Sequence, residues 1–595
     1  MLRRLAACLC ALALTPAVAH AATTTVSQPV YDAKGHLIQT PFVPAPAHKN
    51  LDEARATALF LRNGKVADWL SRYPKKGRVT DATFKNGVWT VKVWWGKAGE
   101  IAEGSVEDST TQVTEAWTGP QVAWKMARGY DGAFGGKKIN EPWLWLTFSA
   151  LFLIGLAELR RPLTMRNLDL LALLFFSVSL WYFNHGEIFT AMPLAYLPMG
   201  YLLARGLWIG VRGRASPGRS IWPVWLLLAA TIFLAGFRVG LNIENSNVID
   251  VGLAGVVGAD RIAHGEMPYG HMPLEGNLKK CGPADSAGEV RERIQTNGRC
   301  ETAIERGDTY GPVAYEAYLP AYLVKGWSGK WDKLPTAHWT SILWDLLCLV
   351  GMWLLGRRLG GSRTAATLAF AWAAYPFTQY VSNSNTNDSI MPAFLIFGLW
   401  LASNPWSRGA GVALAGWTKF AALLVAPLWL SYPEWTRPRA KAAFLGGFAL
   451  ATLAAFSIVF LEPNPLHAVR VFVDRTIIWQ SSRDSPFSIW DWRQYHARGL
   501  PDLHLVQRVL QVVLVVGAVV VAFVPRRKSM LQLVALTGVL MVGFELVLTH
   551  WFYLYLPWFF PFVAAAALAP GPPTPELVPE PETHGHEIGK LVPAR

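Results

Sequence analysis

Cysteine and charged residues are both scarce in this sequence, at five residues in 595 and 16% of the chain, respectively. The sequence also contains no metal-ligand cluster, phosphate-cradling glycine loop, nucleophile elbow or nucleotide-binding fingerprint. No basic-aromatic motif for nucleic acid and no internal repeat is present. These absences argue against zinc enzymes, nucleotide-dependent enzymes, serine hydrolases of the elbow type, nucleic-acid binders and repeat proteins.

Apolar residues are abundant instead, at 52% of the chain. They form repeated runs of about 20 residues, the length that crosses a bilayer as a helix. The net charge is +14, and the preference for Lys and Arg in short cytoplasmic loops accounts for it. The sequence therefore predicts a polytopic α-helical membrane protein with about 13 crossings.

The first residues, "MLRRLAACLCALALTPAVAHA", have the pattern of a secretory signal peptide that ends at Ala21. The polar stretch that follows has helical spacing at 51–74, a hairpin pattern around Lys-Asn-Gly at 78–96, and then a strand and a helix at 111–129. The predicted organisation is a signal peptide at 1–21, an extracytoplasmic α+β module at 22–141, three additional transmembrane helices at 142–220, a membrane region at 221–569 and a disordered cytoplasmic tail at 570–595.

The cysteines divide by location. Cys8 and Cys10 belong to the signal peptide, and Cys348 lies in an apolar helix as a small core residue. Cys281 and Cys300 share one polar loop, which predicts a disulfide if that loop is extracytoplasmic. Closing it would contribute ~3 kcal/mol. Two free thiols are the alternative.

Basic residues in three short loops determine the predicted topology, because such loops are cytoplasmic. This places 242–336 outside. The segment 410–435 leaves two alternatives. A single helix would put Lys419 in mid-membrane, at a cost of ~2.5–3.5 kcal/mol, whereas two short limbs would put it at an outer turn. We favour the hairpin, which also places 462–505 outside. The basic loop residues are Arg160, Arg161, Arg166, Arg212, Arg214, Arg219, Arg357, Arg358 and Arg363.

Two acids stand out in "VIDVGLAGVVGADRIAHGEMPYG" (248–270), which follows an apolar run. Asp250 lies where the helix meets the outer interface, so it is a candidate general base; a helix-capping role is the alternative. Asp260 is a second candidate acid; pairing with Arg261, or with His264 four residues later, is the alternative.

The order of the outer-face motifs resembles the GT-C superfamily of polyprenol-phosphate-sugar-dependent glycosyltransferases, and within it glycosyltransferase family 87. The resemblance rests on Asp250 after a spanning helix, on "GEMPYG" with Tyr269, on "YGP" at 310–312, and on a glycine-rich limb followed by Lys419. It covers about 221–569. The module at 22–141 resembles a PepSY-like domain in its helix-hairpin order and in "VTEAWTG"; a spacer or docking role is the simplest interpretation.

The resemblance implies an inverting transfer of a sugar, with mannose a family-level guess, from a polyprenyl-phosphate donor to a lipid or glycan acceptor. Asp250 would be the base, and fixed cations would stabilise the leaving phosphate. Solvated arginines, headgroup contacts and interfacial aromatic anchoring are the alternatives for individual positions. The predicted substrate-binding residues are Tyr269, Tyr310, Lys419, Arg475, Arg483, Arg493, His496, Arg498 and His550.

Two other function classes stay open at this point. One is a transporter or flippase of lipid-linked saccharide, and the other is a sensor or scaffold that uses the N-terminal module. The expected location is a bacterial cytoplasmic membrane, with the module and the site extracytoplasmic. Membrane lipids are expected partners and nucleic acid is not. The sequence predicts no metal ligand and leaves a requirement for a divalent cation open.

Overall fold

The computed structural model describes residues 30–31, 37–39, 49–128, 132–213, 221–274, 292–294, 300–328, 331 and 334–570. The predicted signal peptide, Cys281, the side chain of Cys300 and the tail from 571 lie outside the described residues, and so does the predicted disulfide. The described chain is mostly helical, with a small sheet near its N-terminus. This confirms the predicted fold class at that level; the number of crossings stays a prediction.

The predicted hairpin is present in the polar N-terminal segment. Arg78–Lys85 and Val88–Trp95 are joined by Asn86 (φ 51°) and Gly87 (φ 82°), and such positive φ angles are what a tight hairpin turn requires. In one four-stranded sheet these two strands are followed, in chain order, by Gly99–Glu107 and Val113–Thr118. The helices of this segment are Glu53–Arg62, Gly64–Leu70 and Pro120–Arg128.

The described chain separates into two compact units. The first comprises residues up to 62 together with 81–91 and 104–115, and the second comprises 63–80, 92–103 and everything from 116 onward. Within the first unit, the buried carboxylate of Asp108 accepts hydrogen bonds from Trp89 Nε1 (2.9 Å) and from the backbone N–H of Leu51 (3.0 Å). These contacts tie a strand to the segment that leads into the first helix.

The second unit holds the apolar helices. Among the described residues, six helices are long and apolar enough to cross a membrane: Met165–Asn184, Ile188–Arg212, Val224–Glu244, Pro335–Ala374, Pro438–Leu461 and His504–Phe523. Shorter apolar helices are Pro142–Leu156, Ile390–Trp400, Phe420–Leu430 and Met530–Leu546. The first of these shorter helices begins at Pro142, where the sequence predicts the three additional transmembrane helices to begin.

The segment Pro335–Ala374 is two helices joined by a reversal of the chain. Gly361 has φ 75°, in the left-handed region that glycine favours. A Cβ atom at Gly356 would lie 2.6 Å from the Cα of Ala365, so the two limbs fold back against each other. The sequence predicts separate spans here at 337–356 and 364–380, and the structure has the break between them.

The segment around Lys419 forms the predicted hairpin. Pro405–Gly416 is one limb, and Phe420–Val425 with Ala426–Leu430 is the other. At the open end, the Arg408 guanidinium donates a hydrogen bond to the carbonyl of Tyr432 (2.9 Å). Lys419 lies at the turn, as expected for two short limbs and contrary to the single-helix alternative.

The remaining elements are short. Helices are Asp250–Ala263, Pro312–Glu316, Leu319–Lys325, Pro376–Asn383, Pro465–Val473, Trp479–Ser481 and Phe560–Leu568, with a π-helical turn at Asp474–Ile478. Three-residue to seven-residue 3-10 helices are Gly96–Ala98, Lys138–Asn140, Phe456–Leu461, Ile489–Tyr495 and Tyr553–Trp558. Two antiparallel strand pairs join Val30–Tyr31 to Leu37–Gln39 and Glu292–Ile294 to Cys300–Thr302.

Candidate active site

Asp250 is the first residue of the helix Asp250–Ala263. One oxygen of its carboxylate accepts a hydrogen bond from the backbone N–H of Val251 (2.9 Å), which is a partial version of the predicted capping role. The side chain is nevertheless exposed to solvent. A solvent-exposed carboxylate that is held through one oxygen can still accept a proton.

The polar segment "SNSNTNDS" (382–389) holds the chain just before Asp250 in place. The carbonyl of Ser384 accepts a hydrogen bond from the N–H of Ile249 (3.3 Å), and Asn385 Nδ2 donates to the carbonyl of Asn247 (3.0 Å). All eight residues of the segment are buried. Buried polar groups need partners, and here the partners are the backbone groups that precede Asp250.

The same segment carries Asp388 at its other end. Lys419 Nζ lies 3.3 Å from Asp388 Oδ1, and that oxygen also accepts a hydrogen bond from Trp558 Nε1 (3.0 Å). The Lys419 and Asp388 side chains are only 8% and 2% exposed. A buried ion pair of this kind holds the ammonium group at one position.

Aromatic rings surround the Lys419 ammonium. The Tyr310 ring centroid is 4.2 Å from Nζ and the Trp558 ring centroid is 5.5 Å away, both within cation–π range. Tyr310 is held by Gly311, where a Cβ atom would lie 1.9 Å from the carbonyl oxygen of Trp417, two residues before Lys419. Only glycine permits this close approach, so "YGP" and the Lys419 turn meet directly.

Arg483 and His550 complete the group. Arg483 is close enough to Asp250 and to Lys419 to interact electrostatically with both, and His550 is close enough to interact with Arg483 and Lys419. His550 Nδ1 lies 2.8 Å from Ser485 Oγ. We name the six residues that the structure brings together in this way the Asp250 cluster: Asp250, Tyr310, Asp388, Lys419, Arg483 and His550.

The surrounding protein shifts the pKa of Asp250, Lys419 and His550. Desolvation raises the pKa of Asp250, against the opposing effects of the Val251 N–H, Arg483 and Lys419. Although the carboxylate is exposed to solvent, the surrounding protein reduces its hydration, which disfavours the charged form. Desolvation lowers the pKa of Lys419, and together with Arg483 and Lys419 it lowers that of His550 to about 3. His550 is therefore a neutral imidazole in the cluster.

Asp260, the second candidate acid, has a different environment. It is buried, and its Oδ2 accepts a hydrogen bond from Arg261 (3.1 Å), which also binds Glu301 (3.0 Å). Tyr322 donates to its other oxygen, and His264 Nδ1 is 3.5 Å away. The pairing alternative therefore describes Asp260, and the network joins one end of its helix to the strand at Cys300–Thr302.

Tyr269 contacts the cluster through the backbone of Tyr310. Its ring is buried between Tyr315 and Phe472, and its hydroxyl donates to the carbonyl of Tyr310 (2.8 Å). Tyr269 thus holds the backbone at Tyr310, and its predicted role in substrate binding stays a prediction.

The other predicted cations lie elsewhere. Arg475 pairs with the buried Asp308 (2.8 Å), and the exposed Arg493 pairs with Asp502 (2.5 Å). His496 is exposed in the left-handed region (φ 50°), and Arg498 is exposed. Their ion-pair partners and exposure match those of structural or solvated residues, the alternatives that the sequence left open.

Sequence reasoning missed Asp388 and Arg306. Asp388 lies within "SNSNTNDS" (382–389), and an acid in an otherwise neutral polar run was the available signal. Arg306 lies over one side of Trp479, at 5.4 Å from the ring centroid, and Arg483 lies at 5.5 Å from the same ring. Nothing in the local sequence pairs Arg306 with Arg483, because the shared ring joins them only in three dimensions.

Among the described residues, no group of three or more His, Cys, Asp or Glu side chains is placed to hold a metal ion. Comparison with known proteins adds no relative: no family model, curated protein or solved structure matches the chain.

Proposed function

We propose that this chain is an integral-membrane glycosyltransferase. It transfers a sugar from a polyprenyl-phosphate donor to a lipid or glycan acceptor at the outer face of a bacterial cytoplasmic membrane, with inversion at the anomeric carbon. The active site is the Asp250 cluster. The donor hexose is mannose in the family that the sequence resembles.

The single observation that carries the proposal is an exposed carboxylate of raised pKa beside two cations, of which Lys419 is held by a buried ion pair. The Asp250 side chain is exposed to solvent, and partial desolvation by the surrounding protein raises its pKa. Lys419 and Arg483 interact with it electrostatically. A base is most effective when its pKa approaches the working pH. Cations held by the protein stabilise a phosphate whose negative charge grows as it leaves.

The reaction balances on these residues. Asp250 takes the proton of the acceptor hydroxyl while that oxygen attacks the anomeric carbon of the donor. The bond from the anomeric carbon to the phosphate oxygen breaks, and polyprenyl phosphate leaves with the electron pair. Lys419 and Arg483 neutralise its charge, and the Arg483 guanidinium can bind two phosphate oxygens at once. Neutral His550 donates or accepts a hydrogen bond without adding charge.

An apolar surface next to Arg483 suits the polyprenyl chain. The helical run from 465 to 481 exposes Ile477 (51%) and Ile478 (56%) in its last part, and Arg483 follows two residues after its end. A lipid phosphate presents an anion joined to a long hydrocarbon. Exposed apolar side chains close in sequence to a cation suit both parts of such a molecule.

The test uses the purified full chain in lipid nanodiscs with a polyprenyl-phosphate hexose. We expect polyprenyl phosphate to be released, with release dependent on added acceptor. The Asp250→Asn variant should release almost none. Asp474→Asn is the matched control, because Asp474 is an exposed acid outside the Asp250 cluster. Movement of intact donor between leaflets without any release would favour the flippase alternative.

A further inference from the structure

A second site lies in a polar cleft of about 640 Å³. This volume is within the range of small-molecule sites, ~300–1,000 Å³. The cleft is lined by the 3-10 turn Gly96–Ala98, the segment from 484 to 496 and the start of the helix His504–Phe523. None of the six members of the Asp250 cluster is among the residues that line it, so the two sites are distinct.

The charges of the cleft are balanced. Three carboxylates, Asp484, Asp491 and Asp502, face three cations, Lys97, Arg493 and Arg508. Leu505 is the one apolar side chain among its lining residues. The carboxylates would repel a polyanion, and the guanidinium groups would repel a polycation. A hydrocarbon chain would have almost no apolar surface to contact. The chemistry suits a neutral ligand that is rich in both hydrogen-bond donors and acceptors.

One wall of the cleft is built rather than loosely solvated. The Asp491 side chain is 3% exposed, and its Oδ2 accepts hydrogen bonds from the N–H of Ser485 (2.7 Å) and from Gln494 Nε2 (3.1 Å). His504 Nε2 lies 3.5 Å from Oδ1 of the same carboxylate. Side chains held by such contacts lose less conformational entropy when a ligand binds.

Three consecutive residues join the cleft to the Asp250 cluster. Arg483 interacts electrostatically with Asp250, Asp484 lines the cleft, and Ser485 Oγ contacts His550 Nδ1 of the cluster at 2.8 Å. A ligand in the cleft therefore lies beside the loop that carries Arg483. The cleft and the Asp250 cluster are therefore joined by one continuous segment of the chain.

We infer that the cleft binds the saccharide portion of the acceptor and directs its reactive hydroxyl toward Asp250. Sugar hydroxyls are both donors and acceptors, so vicinal pairs bind carboxylates and guanidinium groups together. The role as acceptor site rests on the proposed function; the binding of a neutral saccharide does not. Lys97, from the polar N-terminal segment, contributes to this site, which gives that segment a part in acceptor recognition.

The experiment measures binding and transfer separately on the full chain in nanodiscs. Binding is titrated calorimetrically with neutral trisaccharides of mannose, glucose and N-acetylglucosamine, with a tri-lysine peptide and inorganic phosphate as charged probes. Arg508→Ala and Asp502→Asn alter exposed cleft residues, whereas Arg470→Ala alters an exposed arginine outside the cleft. We expect one trisaccharide to bind, and each cleft variant to weaken it by about tenfold. Arg470→Ala should bind as the unmodified protein does.

Donor turnover separates the two proposals. Acceptor-dependent release of polyprenyl phosphate with an acceptor KM that the cleft variants leave unchanged overturns the cleft inference and leaves the proposed function standing. Trisaccharide binding that the cleft variants weaken, without turnover of any donor, supports the cleft as a saccharide site and overturns the proposed function. Binding only of phosphate or of the peptide, or of no probe at all, overturns the cleft inference.

Discussion

The ammonium nitrogen of Lys419 lies 3.3 Å from Oδ1 of Asp388, and both side chains are buried. Each comes from a different turn: Lys419 from the hairpin and Asp388 from the polar segment that also holds the chain before Asp250. The pair thus connects the proposed base, Asp250, to the cation that would stabilise the leaving group. A donor phosphate that binds Lys419 would share the ammonium with Asp388 rather than create a new position for it.

Asp250→Asn should abolish transfer without unfolding the protein. The amide keeps the size of the side chain but cannot take a proton, and loss of a general base typically lowers the rate by ~10²–10⁴-fold. Thermal unfolding should occur at the same or a higher temperature than in the unmodified protein, since the variant removes a desolvated charge. Near-normal turnover in Asp250→Asn, with Asp474→Asn also active, would exclude Asp250 as the base.

The pH profile should carry the signature of Asp250. Its pKa in the folded protein is raised, so the ionised base forms only at a pH above the usual carboxyl range. The acid limb of kcat/KM should therefore lie above that range. Because of the same shift, the folded protein binds this proton more tightly than the unfolded chain does. The contribution of Asp250 to the free energy of unfolding is therefore present at low pH and is lost as the pH rises through its raised pKa. An acid limb at an ordinary carboxyl pKa would contradict the assignment.

Lys419→Met should raise KM for the polyprenyl-phosphate donor and lower kcat. The substitution keeps an unbranched chain but removes the charge, and losing a hydrogen bond to a charged group corresponds to about 10- to 100-fold. Steady-state kinetics with varied donor separate the two constants. Lys325→Met, which removes an exposed lysine, is the control and should change neither. If KM and kcat of Lys419→Met both stay within about twofold of the unmodified protein, Lys419 does not bind the donor phosphate.

Gly311→Ala should disrupt the cluster without touching a charge. The added Cβ would lie 1.9 Å from the carbonyl oxygen of Trp417, so the loop with Tyr310 must move away from the Lys419 turn. We expect lower turnover together with a lower unfolding temperature. Gly200→Ala is the control, because a Cβ there meets no atom within 4 Å. Equal activity and unfolding temperature in the two variants would show that the close approach is unimportant.

Cysteine accessibility should follow the predicted topology. In a variant whose native cysteines are serine, a cysteine at the exposed Arg498 should react with an impermeant thiol reagent on spheroplasts. One at the exposed Arg526 should react only after the membrane is opened. The cysteine-free parent should not react in either condition. Labelling of the position at 526 alone on intact spheroplasts would invert the topology and move the Asp250 cluster to the cytoplasmic side.

Local signals in the sequence determined several features of the protein. Apolar runs of about 20 residues identify the long helices, because their side chains must meet lipid or other helices. The positive φ angles of Asn86 and Gly87 follow from their place in a hairpin. The break near Gly361 and the Lys419 hairpin were also predictable, since a glycine pair ends one helix and a charge in mid-membrane would be costly.

Only the tertiary structure decided which charged residues work together. Asp250 and Asp260 lie on one helix, yet Asp260 is enclosed by Arg261, Glu301 and Tyr322, whereas Asp250 remains exposed. Arg475 and Arg483 are close in sequence, yet Arg475 pairs with Asp308 and Arg483 interacts with Asp250. Charge pairing depends on distance in space and on burial, and the partners here come from distant parts of the chain. The sequence therefore identified the acids and cations, and packing determined the partner of each.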